Sequence, residues 1–260
     1  MARFIGRNVR LLTSIAMAFS LAACAGIGKQ KDKEALEKDL ESALASSAAS
    51  AEASYNYPEA VQSYAKLVAK HPDDVDLALK LARNLRFAGQ AQQDIAIVTQ
   101  LIGKSGRTVP LLLELGKAQL AADQSNLAVP TLLEVKAKDP LNWDVLSTLG
   151  VAYDFQEEYD KSREVYTQAL AASPNNPAIL NNFALSQAAN GDLDGAIATV
   201  KLAVDQPSAT AQVRQNMALL MVLKGDVDGA ERIARKDLPP AMADNNSAYY
   251  QMLSGAAKTY

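Results

Sequence analysis

Reactive side chains are scarce in this chain of 260 residues, which holds one Cys, one His and one Trp and is only 6% aromatic. A single Cys excludes an intrachain disulfide and a Cys-based zinc site, and a single His excludes a histidine metal cage. Neither sign of charge dominates: 26 Lys and Arg stand against 29 Asp and Glu, and a net charge of −3 lacks the basic excess of a nucleic-acid footprint. The apolar stretch from Leu11 to Ala23 has 13 residues, short of the roughly 20 that cross a bilayer. What is there is a 49% hydrophobic chain, enough for one large folded domain or two, with no need of disulfide staples.

The amino terminus carries Arg3, Arg7 and Arg10 ahead of that apolar stretch, the pattern of a secretory signal. It ends in Leu21-Ala22-Ala23-Cys24, which resembles the lipobox of bacterial lipoproteins. The resemblance implies cleavage before Cys24 and acylation of its thiol, and Ala25, where an Asp would retain the protein at the inner membrane, implies sorting to the outer membrane. Each buried acyl methylene contributes about 0.8 kcal/mol, so two or three chains anchor firmly. Loss of residues 1–23 removes three Arg and no acid, taking the formal charge from −3 to −6. Residues 24–54, charged and then rich in Ala and Ser, are read as a lipidated tether with too few large apolar residues to build a core. Leu36, Leu40 and Leu44 recur every four residues, so part of this tether is expected to be helical when docked.

Beyond the tether the chain repeats itself. Gly116 and Gly150 are 34 residues apart, as are Pro140 and Pro174, Asn182 and Asn216, Gly191 and Gly225, Asp194 and Asp228, and Ala196 and Ala230. The sharpest copy, residues 143–176, reads Leu146-x2-Leu149-Gly150-x2-Tyr153, then Tyr159, Ser162, Tyr166, Ala169 and Pro174. This pattern resembles the tetratricopeptide repeat, in which small residues let two antiparallel helices approach while large apolar residues fill the spaces around the contact. The resemblance implies an all-α, right-handed superhelical solenoid of about six helix-turn-helix units. The frame places them at 41–74, 75–108, 109–142, 143–176, 177–210 and 211 to about 240. The domain reading is a signal peptide at 1–23, the tether at 24–54, the solenoid at 55–240 and a tail at 241–260 with a short capping helix. In the second unit Asp94 takes the small-residue position and Gly106 the closing Pro, which predicts a looser unit; Pro130 is expected to kink the third.

Short strings that suggest chemistry lack their partners. Asn190-Gly191-Asp192-Leu193-Asp194-Gly195 begins like a calcium loop but meets Lys201 where the closing acid should be. Gly103-Lys104-Ser105 has Val98 in place of the first Gly of a phosphate loop. Ser63 and Lys66 have the spacing of a penicillin-binding pair without its companion motifs. His71 precedes Pro72-Asp73-Asp74, where a cation suits a helix end and the acids suit a cap. No catalytic residue, metal or cofactor is expected.

The remaining candidate is the groove that helix A of each pair lines in tetratricopeptide domains. The resemblance puts Leu113, Lys117 and Leu120 there, with Ser147, Val151, Asp154 and Phe155, then Asn181 and Leu185, then Gln215 and Leu219. Such a lining suits a peptide or a helix, because amides pair with a ligand backbone and apolar side chains accept its side chains. Asn182 and Asn216 hold the family's amide position, but the basic neighbours of a carboxylate clamp are absent, which disfavours capture of a terminal carboxylate.

The last third is more distinctive. Asn181 to Ser186, Gly191 to Ala196, Val213-Arg214-Gln215-Asn216-Met217-Ala218-Leu219, the run Ala230 to Pro240 and Tyr249-Tyr250-Gln251-Met252-Leu253 resemble the TadD family of tight-adherence pilus lipoproteins. That resemblance, over residues 177–253, implies a scaffold that assists an outer-membrane secretin, or another pilus-assembly component, in Flp pilus biogenesis. The alternative is a periplasmic adaptor for peptidoglycan hydrolases or proteases. Either way the partners are proteins, the membrane is met through Cys24, and nucleic acid is not bound. The Asp237-Leu238-Pro239-Pro240 stop and the helix after it are expected to cap the solenoid's open end.

Overall fold

The computed structural model describes residues 33, 35–236 and 246–253; Cys24, the signal segment and the stop at 237–240 lie outside them. Among the described residues the secondary structure is helical: α1 (35–53), α2 (Tyr57–Lys70), α3 (Val75–Phe87), α4 (Ala91–Ser105), α5 (Val109–Ala121), α6 (Ser125–Lys138), α7 (Trp143–Asp154), α8 (Tyr159–Ala172), α9 (Pro177–Ala189), α10 (Leu193–Val204), α11 (Ala211–Leu223), α12 (Val227–Ala234) and α13 (246–253). Odd-numbered helices to α11 take the helix A position of the 34-residue frame and even-numbered ones helix B. The chain divides into two compact units, residues 1–88 with α1 to α3 and 89–260 with α4 to α13. That division falls within the second repeat, where Asp94, fully buried, replaces the small residue.

The frame is written in the turns. One residue of each A-to-B turn has left-handed backbone: Tyr55 (φ 58°), Gly89 (76°), Asp123 (58°), Glu157 (58°), Gly191 (86°) and Gly225 (93°). All are spaced by 34 residues, so the turn geometry repeats even where Gly, the residue suited to it, does not. The calcium-like strings belong to these turns. The Asp192 side chain accepts from the Gly195 N–H at 2.9 Å and Asp226 from the Gly229 N–H at 2.9 Å, each as the N-cap of its helix B. Asp74, Asn142, Asn176 and Thr210 cap helices A in the same way.

Part of the segment read as tether is a docked helix, as the spacing of Leu36, Leu40 and Leu44 leads one to expect, and it is helix A of the unit placed at 41–74. α1, described from residue 35, packs on α2, with Ala48 and Ala51 buried, Ser47 Oγ 3.2 Å from Ser63 Oγ, and Glu41 paired with Lys70 and His71. A boundary at 54/55 would separate the two helices of one pair. The Ala/Ser composition that argues against a core is what allows the close approach. Ser63 is buried and Lys66 exposed, so that pair does not form a catalytic couple.

In the second unit each helix A packs on its own helix B, on the preceding helix B and, from α5 to α11, on the next helix A. The core is correspondingly segmented. Leu112, Val135 and Val145 form one cluster, Leu146, Tyr166, Ala169 and Ile179 another, and Leu180, Ala184, Val200 and Val213 a third. Stability in such an array is a sum of local and nearest-neighbour terms. Pro130 stands inside α6 on its exposed side, where water can satisfy the carbonyl its ring leaves free. At the far end Tyr250 of α13 joins Ala218, Val222, Ala230 and Ala234, covering the apolar face of the last pair.

Sizes across the pairs of repeats three to six are matched. A methyl added to Gly116 would lie 2.6 Å from Leu132 Cδ2, and one added to Gly150 would lie 2.6 Å from Cε1 and Cζ of Tyr166. Where helix A has Ala184 instead, the residue 16 positions on is Val200, and for Ala218 it is Ala234. In these four pairs glycine faces the large partner and alanine the smaller one, whereas in the first repeat the residue 16 positions before the buried Tyr64 is Ala48.

Candidate functional site

Gly150 does more than permit close packing. Because α7 presents no Cβ there, the Tyr166 ring lies directly on its backbone, fully buried, and its hydroxyl reaches the A-helix side to donate to Asp154 Oδ2 at 2.9 Å. Burial first, then the Asp154 charge and that hydrogen bond, push the Tyr166 phenol well above its ordinary pKa, so it stays a donor. Ser186 of α9 donates to the other carboxylate oxygen at 2.6 Å, and its own Oγ lies 3.0 Å from Ser162 Oγ of α8. Asp154 thereby ties helix A of one repeat to helix B of the same repeat and helix A of the next.

A cavity of about 330 Å³ opens beside this clasp, lined by Val151 and Asp154 from α7 and its C-cap Phe155, Tyr166 from α8, and Asn182, Leu185, Ser186 and Ala189 from α9. Phe155 is 56% exposed and forms part of the wall, while the Tyr166 and Phe183 rings tilt against each other at 5.5 Å. Amides continue the A-helix face on one side of it. Gln212 donates to Asn216, Asn216 to Asn181 at 2.8 Å, Asn181 to Asn182, and Asn182 to Ser147 Oγ at 3.2 Å, a relay from α11 through α9 to α7. Hydrogen-bonded side chains of this kind hold a surface in one arrangement before any ligand arrives.

Of the groove residues expected from the sequence, Val151, Asp154, Phe155 and Leu185 line this cavity. Leu120 is instead core, packed with Ala128, Leu132 and Leu149. Ser147 and Asn181 are buried in the amide relay, and Lys117 is held by Asp144 at 2.6 Å in a pair that joins α5 to α7. Leu113 is half-buried against the α5 and α6 cores, Leu219 is half-buried, and both ends of the Gln215 amide are buried without a hydrogen-bond partner. Tyr166, Ser186 and Ala189 line the cavity without having been among the expected residues. Tyr166 belongs to helix B, so the helix A positions do not include it.

Among the described residues the same clasp occurs once more, three repeats earlier. Tyr64 Oη donates to Glu52 Oε2 at 2.9 Å and Asn84 Nδ2 to Glu52 Oε1 at 2.6 Å, so positions 52, 64 and 84 repeat the roles of 154, 166 and 186 at the same spacings. In the third and fifth repeats these positions are Leu120, Leu132 and Ala152, and Ala188, Val200 and Leu220, which pack without polar groups.

Residues 113–177 and 147–211 each match the tetratricopeptide-repeat family model, covering the three central repeats. No curated protein matches the sequence. The crystal structure of a thermophilic tetratricopeptide protein from Thermus thermophilus is similar with a TM-score of 0.64 at 20% identity, over 70% of this chain and 99% of that one. A crystal structure of MamA is similar at 20% identity with a TM-score of 0.47, over 64% of this chain and 91% of that one. The family match, the Thermus structure and the 34-residue spacing of the turns together establish the fold as a tetratricopeptide-repeat array.

Proposed function

We propose that this protein is an outer-membrane lipoprotein, anchored through Cys24, whose A-helix face holds a segment of a pilus-assembly component and so assists a secretin in Flp/Tad pilus biogenesis. Tetratricopeptide arrays are protein-interaction scaffolds, and the observation that carries the reading is the cavity between α7 and α9, mostly apolar and flanked by the amide relay. Such a surface accepts a side chain in the cavity while the amides pair with the segment's backbone. The lipobox Leu21-Ala22-Ala23-Cys24 supports the anchor, and the TadD-like run from 177 to 253 supports the pilus system.

Three experiments test this reading. Deletion of the gene should abolish surface pili and secretin multimers, and a deletion strain that keeps both refutes the assignment. A photo-crosslinking amino acid at Phe155, on the exposed wall of the cavity, should recover the secretin or another pilus component from membranes; recovery of wall hydrolases or proteases would assign the face to the adaptor alternative. Cys24→Ala should leave a folded protein that no longer takes up labelled palmitate, and continued labelling would refute the anchor.

A further inference from the structure

We infer that the cavity over Asp154 receives a cationic side chain of the partner, a lysine or arginine, with its aliphatic stem along Val151, Phe155 and Leu185 and its charge on the Asp154 carboxylate. This rests on the A-helix face being the partner-binding surface, and it adds the chemistry of the group that is bound.

The two clasps share a plan and differ in the charge beside it. Each has a carboxylate on helix A that accepts from a helix B tyrosine and from a polar residue of the next helix A. Beside the Glu52 clasp the chain supplies its own positive charge. The position equivalent to Leu185 is Arg83. Burial, then the Glu52 hydrogen bond and charge, push the Tyr64 phenol up to about 12, and the Arg83 guanidinium pulls against them. Beside the Asp154 clasp that cation is gone. Leu185 stands in its place, no cation opposes the upward shift of Tyr166, and the space is open as the cavity.

Asp154 is the one charged residue among those lining that cavity. A carboxylate has about four acceptor sites, and the Tyr166 and Ser186 hydroxyls use two, so acceptor capacity remains. An ammonium or guanidinium at the end of an apolar stem meets both requirements of the site, since long cationic side chains bury their methylenes while their heads find a charge partner. An acidic or purely apolar side chain meets one at most.

The test uses three probes of equal chain length, hexylammonium, hexanol and hexanoate, titrated into the isotope-labelled full chain and read by amide chemical shifts. Hexylammonium should move the amides of Val151, Phe155, Leu185 and Ser186 and bind about tenfold more tightly than hexanol, as one added charge-assisted hydrogen bond implies, with hexanoate weakest. Leu185→Arg, which copies the arrangement at Arg83, should abolish the preference for the ammonium. Equal binding of hexanol and hexylammonium overturns the cationic occupant while leaving the apolar partner face intact. Failure of all three probes to move these amides overturns the partner face itself. The ranking on the unaltered chain decides between these outcomes even if the variant does not fold.

Discussion

Replacing Gly150 by Ala tests the packing that brings Tyr166 to the site. The added methyl would lie 2.6 Å from Cε1 and Cζ and 2.8 Å from Cε2 of the ring, whereas carbon atoms pack at roughly 3.5–4.0 Å, so the ring must retreat by about 1 Å. It has little room to do so, being fully buried, tied to Asp154 at 2.9 Å and flanked by Phe183. Overpacking of this kind costs about 1–3 kcal/mol, against which alanine's helix preference returns about 1 kcal/mol. Strain on the hydrogen bond to the Asp154 carboxylate adds to the cost, since a bond to a charged group contributes roughly 1.5–3 kcal/mol. The expected net loss is about 2 kcal/mol, or a fall in melting temperature of about 6 °C for a chain of this size. Urea and thermal unfolding followed by circular dichroism would measure it, and hydrogen exchange of the α7 and α8 amides would localise it. The decisive comparison is the same substitution in a Tyr166→Val background, which imitates the Ala184 and Val200 pair. There Gly150→Ala should be neutral or stabilising, giving a favourable coupling of about 2 kcal/mol. Equal destabilisation in both backgrounds, or stabilisation of the unaltered chain, would refute the size-matching argument.

Glycine at the left-handed turn positions now held by Tyr55 and Glu157 should raise stability by up to about 1 kcal/mol each, while Gly191→Ala should lower it by a similar amount, both read by denaturant midpoint. Glu134 is held at about 2 by hydrogen bonds first from Arg107 and then from Lys138; because its folded pKa is depressed, its contribution is complete above its unfolded pKa near 4.5 and is lost as pH falls from there towards 2. A carboxyl NMR titration should show that low midpoint, and Arg107→Ala should move it back towards 4.5. Tyr250→Ala should uncover the Ala218, Val222, Ala230 and Ala234 face and cost roughly 3 kcal/mol, with exchange protection falling first in α11 and α12; unchanged protection there would mean that α13 is not a cap.

Much of this architecture is legible because it is local. A turn needs a left-handed residue and a cap, so Gly191-Asp192 and Gly225-Asp226 announce themselves, and small residues at a fixed interval mark where helices approach. The start of the fold is legible through the frame, which places a unit at 41–74, but not through composition. An Ala/Ser segment becomes the first helix A only because α2 offers a surface that small residues can approach closely, and composition carries no record of that surface. The groove is half legible for the same reason. Phase along helix A identifies Val151, Asp154, Phe155 and Leu185, but phase cannot distinguish a lining residue from one engaged by a neighbour. Lys117 is spent on Asp144, Ser147 and Asn181 on the relay, and Leu120 on the core.

Residue order alone is thus enough for the period, the turns and caps and the all-helical repeat class, because these depend on residues a few positions apart or on one recurring spacing. Which groups share a carboxylate emerges only when the helices pack. Tyr166, 12 residues from Asp154, reaches it over Gly150, and Ser186, 32 residues away, reaches it from the next repeat. Those meetings depend on how closely two helices approach and on which side chain fills the gap, which is set by packing among neighbours and not by any one segment.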